Sequence, residues 1–584
     1  MRADLLRYLI CGGCETCPTQ DVGVGLVGAY VMGTLDLDFT TAKGATGLFA
    51  CRFETWIEAL QARFEFLILS DSHLPGLTAQ GARVTGDVFL RGVTATGEVS
   101  LSGAEIGGQL ACNRARFEAA EGTALNAEGA RVTGGVFLSG VTATREVSLS
   151  GAEIGGTLAC EGARFENSEG TALNAQGARV TGSVFLRGVT ATGEVSLSGA
   201  GIGGQLSCNG ARFENSEDTA LNAQKMEADE FYWREVQAVS GAVDLNGAKV
   251  GDLVDDAASW EKVGHLHLNG FRYDHIAGPV NVRMRLGWVA KDAATANEFR
   301  PQPYEQLAQV FREMGHDGDR RTVLIEKERF ERKHARARMR DQRRFARLLG
   351  QVSRRPSNAA IDALKAFTGS AKALDNGYTV PLLERFALFH RQWPEKDDGT
   401  TPPDRHAVAM AQAGFREQIF WHNAGLRVRI AWNHVKDHMS RWLAGYGYQP
   451  FNFIWALLLL WAIGAGMAHQ AWRAGDFAPN SDVILSTPEW RVLAEDGAGV
   501  DNPAADWSAK HGKGRDWESF NAGAYAFDIV VPIVTIGQTE AWAPSTNRGP
   551  WGLHLWWARW VMTVLGWIVT AVPAAAITGI IRRE

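Results

Sequence analysis

The chain has 584 residues, more than one hydrophobic core organises, so three or more regions are expected. Its formal net charge of −6 selects no partner by bulk attraction. Sixty-five glycines against 18 prolines exclude a disordered low-complexity chain and point to a repeated, turn-rich fold.

Residues 1–34 read as an amino-terminal cap. "MRADLLRYLICGGCET" holds no apolar run long enough for a signal peptide, which places the first half of the chain in the cytoplasm. Cys11, Cys14 and Cys17 are spaced closely enough to hold a metal. No second Cys or His pair follows at zinc-site spacing, so no metal is assigned. Gly23, Gly25 and Gly28 satisfy G-x-G-x-x-G, but the dinucleotide fingerprint needs a strand before it and a helix after it. Here "AYVMGTLDLDF" follows and alternates like a strand, so no cofactor is assigned.

Residues 35–282 carry the strongest signal. The segment 81–128 recurs as 129–176 and 177–224, each copy opening "GARVTG" and closing "TALNA", a period of 48. Within a copy, units of 11 residues such as "ARVTGDVFLRG" alternate apolar with polar residues, the period of a strand with one buried face. No helical period interrupts them. The chain is therefore expected to be mainly β: a right-handed, pentapeptide-like parallel β-solenoid with two coils per 48 residues, stacked about 4.8 Å apart. Degenerate coils such as "LDLDFTTAKGATGLFACRFE" and "GHLHLNGFRYDHI" flank the identical ones. Cys112, Cys160 and Cys208 fall one per copy and read as buried, reduced thiols. Glu98, Glu146 and Glu194 form one ladder and Asn126, Asn174 and Asn222 another. Identical groups in a row suit solvated faces and turn caps, whereas an enzyme site needs unlike groups converging.

Residues 283–448 change to a helical period and become a basic linker domain. "PQPYEQLAQVFREMG" starts with prolines and stops at Gly315. From Arg320 to Arg355 there are 14 Arg or Lys against 4 acids. Phe330 and Phe345 alone could stack bases there, which argues against nucleic acid as a partner. Arg336, Arg338, Arg340, Arg343, Arg344 and Arg347 are instead expected to meet the headgroups of an anionic leaflet. The stretch 415–448 mixes Trp, Phe and Ile with Arg and Lys, as suits a membrane surface.

Residues 449–584 read as a two-helix membrane domain, with spans at about 451–469 and 560–581. Trp551, Trp556, Trp557 and Trp560 suit an interfacial belt, and Lys and Arg before the first span and after the second put both termini in the cytoplasm. Residues 470–550 are then external, with a re-entrant or interfacial element at 517–542. A span, a short helix, a Thr-x-Gly loop and a second span is the order of a pore-loop ion channel. Thr535, Ile536, Gly537 and Gln538 would line the constriction, and Gly566 would bend the inner helix. The Tyr-Gly pair of a potassium filter is missing.

The series "GAEIGG", then "LHLNGFRYDHI", "PQPYEQLAQVFREMGHDGD", "GYGYQP" and "VPIVTIGQTEAW", resembles bacterial membrane proteins with pentapeptide-like repeats that carry the name membrane-associated oxidoreductase. That resemblance covers nearly the whole chain and implies a redox activity. The residues themselves supply no catalytic group, and no flavin, nicotinamide, haem or iron–sulfur signature. The expectation is an inner-membrane protein whose cytoplasmic solenoid binds a protein partner or senses a stimulus. A homo-oligomeric channel gated by the solenoid is the alternative, and a membrane-associated oxidoreductase the second alternative.

Overall fold

A computed structural model of the chain describes residues 1–14, 17–18, 21–296, 299–354, 405–448, 450–495, 499–510, 512–531 and 533–577. They form two compact units, Met1–Lys327 and Glu328–Glu584.

The first unit is a parallel β-solenoid of about 11 turns. Its ladder begins at Gly23–Val27, paired in parallel with Ala45–Phe49, and ends at Arg272–Ile276. Gly23 and Gly25 of the G-x-G-x-x-G run therefore lie in a strand. Glycine at 23 is needed because its φ is +98° and a Cβ would fall 2.2 Å from the Ala45 carbonyl oxygen. Val88 pairs with Leu110 and Leu110 with Val136, steps of 22 and 26 residues, so two coils do fill each 48-residue copy. The longer coil absorbs its extra residues as a bulge, where the register of Arg164–Asn174 slips between Glu166 and Thr171.

The interior explains why the repeating unit is a pair of coils. Phe117 pairs with Ala143, Ala143 with Phe165, Phe165 with Ala191 and Ala191 with Phe213, all with no exposure. Large and small residues therefore alternate along the axis, so the two coils of a copy fill the interior differently. The buried Cys112, Cys160 and Cys208 sit in coils that alternate with those of Leu138 and Leu186. At the corners a residue takes a left-handed conformation every 11 positions, or 15 across the bulged segment, as at Gly103 (φ +63°), and Arg114 is forced into it at +58°. The asparagine row caps turns: Asn126 Oδ1 accepts from Glu128 N at 3.1 Å while its Nδ2 donates to Glu98 Oε1 at 3.3 Å. Asn174 and Asn222 donate likewise to Glu146 and Glu194, each at 2.9 Å.

Both ends of the solenoid are covered. Helix α1 (Ala3–Ile10) buries Leu6 and Ile10, its Ala3 N donating to Met32 O while Ile10 O accepts from Lys43 N. A short helix α2 (Ala257–Glu261) interrupts the late coils, N-capped by Asp256, whose carboxylate accepts from Ser259 N at 2.7 Å. At the far end α3 (Val282–Ala296) and α4 (Gln302–Glu313) replace the missing next coil with side chains. Thr295 Oγ1 accepts from Leu266 N, Asp292 Oδ1 from Leu268 N and Gln302 Oε1 from Gly270 N. Gln302 and Gln306 donate in turn to Phe271 O and Tyr273 O. The open backbone edge is thus consumed before it can pair with another chain.

Helix α5 (Asp317–Arg354) begins in the first unit and continues into the second. There follow α6 (Arg405–Ala444), a turn at Gly445–Gly447, α7 (Phe453–Arg473), α8 (Ala522–Val530) and α9 (Pro550–Ile577). Among the described residues α7 is the helix long and apolar enough to cross a membrane. A second membrane-spanning helix is not shown: α9 ends its described course at Ile577, and residues 578–584 lie outside the described residues. The segment 474–549 is not a plain loop. Phe477–Pro479 and Trp542–Pro544 pair antiparallel over a core of Trp490, Trp507, Tyr525 and Trp542, and Trp472 stacks on Phe520 at 4.2 Å between ring centroids.

Candidate membrane region and helix–loop site

Helix α7 carries its side chains the opposite way from a helix in water, and α9 also exposes a large apolar face. The buried positions of α7 are Ala456, Gly464, Ala468 and Ala471, while Trp455, Leu458, Leu459, Trp461 and Ile463 are exposed. On α9, Trp557, Trp560, Val561, Val564 and Trp567 are exposed and Gly552, Leu555 and Met562 turn inward. On α7, small residues inside and large apolar ones outside is the pattern of helices packed together in lipid. Asp476, 2% exposed, caps the start of α9 through Oδ2, which accepts from Gly552 N at 2.8 Å.

Helix α8 packs against both α7 and α9. A Cβ on Gly464 would meet Ala526 Cβ at 3.1 Å and Met562 Sδ at 3.3 Å, and Trp461 Nε1 donates to Gly523 O at 2.8 Å. The proposed bend, Gly566, lies inside the continuous course of α9. A Cβ there would fall 2.1 Å from Val530 O, so the glycine admits the last residue of α8. Asn521 N-caps α8, its Oδ1 accepting from Ala524 N at 3.0 Å.

The segment after α8 turns back along it, and Asp528 holds the return. Its Oδ1 accepts from Ile536 N at 2.5 Å and its Oδ2 from Thr539 N at 3.1 Å. Gly537 supplies the reversal at φ +99°. Of the four residues singled out in the sequence, Thr535 and Ile536 are exposed at the tip and Gly537 is half-buried. Gln538 is buried and faces away from them: Nε2 donates to Glu518 Oε1 and Ser519 O, and Oε1 accepts from Asn521 N. Pro532 lies outside the described residues. The amides of Ile536 and Thr539 are thus taken by Asp528. Among the described residues the carbonyls of Ile533, Thr535 and Ile536 accept no hydrogen bond. Sequence reasoning missed Asp528, although a lone carboxylate in "AYAFDIVV" is the kind of residue an apolar segment keeps only for a task.

The arginines divide as well. Arg336 reaches across to α6 and donates to Asp437 Oδ2 at 2.8 Å, and Arg332 to Oδ1 at 3.4 Å. Tyr446 Oη donates to the same carboxylate at 2.9 Å, and burial, then Asp437, pushes its phenol up to about 12. Arg336 is thus held in an ion pair. Arg338, Arg340, Arg344 and Arg347 are exposed on α5, and Arg343 is half-buried.

No family model, curated protein or solved structure matches the chain. Of the amino-terminal thiols, Cys11 and Cys14 are exposed and the Cys17 side chain lies outside the described residues. Asp36, Asp38 and Glu58 bring three carboxylates together at the first coils, but Asp36 is paired with Arg7 at 3.1 Å and Asp38 accepts from Leu60 N at 2.7 Å.

Proposed function

We propose that the chain is a bacterial inner-membrane protein whose cytoplasmic β-solenoid is a platform for a protein partner or stimulus, anchored by α7 and α9. The observation that carries this is the outward placement of Trp455, Leu458, Leu459 and Trp461 on α7 and of Trp557, Trp560, Val561 and Val564 on α9. So much exposed apolar surface on two adjacent helices calls for lipid. The density of Lys and Arg before α7 and Arg582–Arg583 after α9 favour cytoplasmic termini. Carbonate washing of membranes tests the anchor: the full chain stays in the pellet, and release into the supernatant overturns the reading. Reporter fusions at Glu584 and near Gly499 test the topology, with opposite sides expected.

A second reading is favoured by the Asp528-held loop: assembly of several copies into a pore whose constriction is lined by the carbonyls of Ile533 to Ile536. Exposed Ile533, Val534 and Ile536 at the tip support burial against other copies. A monomer in nanodiscs eliminates it. Cation flux in liposomes that Asp528→Ala abolishes and Asp528→Asn partly retains supports it. Neither reading draws on a redox centre, and a coloured preparation would restore the oxidoreductase expectation.

A further inference from the structure

Helices α5 and α6 run antiparallel, fixed by Arg332 and Arg336 on Asp437 and by Asn433 Nδ2 at 3.4 Å from Met339 Sδ. Moving along α5 away from this node, the partner on α6 changes from a carboxylate to a cation. Arg343 feels both Arg347 and Arg427 as like charges; burial first, then these two, lower its affinity for its proton. Its Nε is sealed from solvent and has no hydrogen-bond partner among the described residues. Three guanidiniums gather from two helices, one with a sealed N–H that donates to nothing among the described residues, and their charge and donors suit an anion.

We propose that Arg343, Arg347 and Arg427 bind the phosphate of an anionic phospholipid. The guanidinium fork suits a phosphate oxygen pair better than a point charge does. The lipid source follows from the face of α6 beside the cluster. Trp421, Val428, Trp432, Val435 and Trp442 are each 50–69% exposed, and 421, 428, 435 and 442 recur every seven residues along one stripe. Arg429, Lys436 and Arg441 flank it, also exposed. Aromatic residues mixed with cations are the composition of a helix at a headgroup layer, and α6 ends nine residues before α7. This deepens the anchoring reading and rests on it. Arg427 joins the site and Arg336 leaves it, because Asp437 already holds Arg336.

The test uses the full chain in a neutral detergent, with thermal unfolding followed by tryptophan fluorescence. Phosphatidylglycerol added to the micelles raises the midpoint by about 3 °C, while phosphatidylcholine and inorganic phosphate do not. Arg343→Gln, Arg347→Gln and Arg427→Gln together remove that rise. The lipid-free midpoint of this variant is no lower than that of the natural chain, since a like-charge contact has been relieved. The corresponding Lys variant keeps part of the rise. A rise that survives in the Gln variant, an equal rise with inorganic phosphate, or no rise in the natural chain overturns the proposal. Loss of the chain from carbonate-washed membranes strikes the anchoring reading, whereas a surviving lipid rise in a chain that stays in the pellet strikes only this site.

Discussion

Asp255 and Arg285 form a two-pronged ion pair in which neither side chain is exposed to solvent. Arg285 Nη1 donates to Asp255 Oδ2 at 2.5 Å and Nη2 to Oδ1 at 2.7 Å. The remaining hydrogen-bonding capacity is largely used as well: Trp260 Nε1 donates to Asp255 Oδ2 and Arg285 Nε to Pro279 O. Gly278 is glycine because a Cβ would fall 2.3 Å from Asp255 Oδ1. The pair joins the last coils, which carry Asp255, to the capping helix α3, which carries Arg285.

Asp255→Ala leaves a buried guanidinium without a counter-charge and costs about 3–5 kcal/mol. Arg285→Met combined with Asp255→Leu costs much less, because neither charge then stays buried alone. Urea unfolding of both variants measures the difference. Equal losses would show that the carboxylate acts by packing and not by charge.

Two neighbouring glycines separate backbone strain from collision. A Cβ at Gly103 would have nothing within 4 Å of it, so Gly103→Ala meets only the left-handed φ and loses about 1 kcal/mol. At Gly107 a Cβ would sit 2.1 Å from the Thr85 carbonyl of the preceding coil, and the coils must part. Gly107→Ala is therefore the more damaging, by roughly 1–3 kcal/mol beyond Gly103→Ala. The order of their denaturation midpoints decides it.

Asp256 gives the solenoid a pH signature. Burial raises its pKa, but the amides of Glu235 and Ser259, the Ser259 hydroxyl and Lys262 together outweigh it and hold the carboxyl below its ordinary value. A carboxyl depressed in the folded state stabilises above its unfolded pKa of about 3.9 and loses that contribution as pH falls through the folded pKa. Asp256→Ala costs about 1 kcal/mol at pH 7, the usual worth of an N-cap. The gap between variant and natural chain closes below pH ~4, the acid side of the carboxyl's ordinary range. A gap that persists at low pH would contradict the assignment.

The thiols should fall into two classes. Burial pushes Cys112 up to about 12, and raises Cys160 and Cys208 further still, with Glu161 adding to the effect at Cys160. Cys11 and Cys14 are exposed. A thiol reagent at pH 8 therefore titrates the amino-terminal cysteines at once and those of the repeat only after unfolding, with a rate that follows urea concentration. Fast labelling of Cys160 in the native chain would rule out the closed interior.

Much of the solenoid was legible because a period of 48 and an alternation of two leave one parallel-coil solution. The devices that finish it were not. Thr295, Asp292 and Gln302 cap the last coil from 24 to 32 residues away, and no local pattern marks a side chain that stands in for a carbonyl. The short helix at Ala257 had a readable start in the Asp256–Ser259 spacing, yet it interrupts a strand pattern that outweighs it locally. In the second unit the basic run was plain, but which arginines meet a carboxylate depends on α6 aligning Asp437 with Arg336, an alignment set by packing. The loop residues Thr535–Gln538 were found by order of elements. Asp528, which shapes them, acts through a reversal of the chain that sequence spacing does not disclose.

The Phe–Ala alternation down the axis sets a rule for how this protein can change length. Removing one coil would set Phe117 beside Phe165 and break the large–small alternation, whereas removing two keeps it. The solenoid is therefore a ruler graduated in steps of two coils, about 9.6 Å each. Gain or loss of whole 48-residue copies moves whatever its far end holds by that increment and leaves both caps intact.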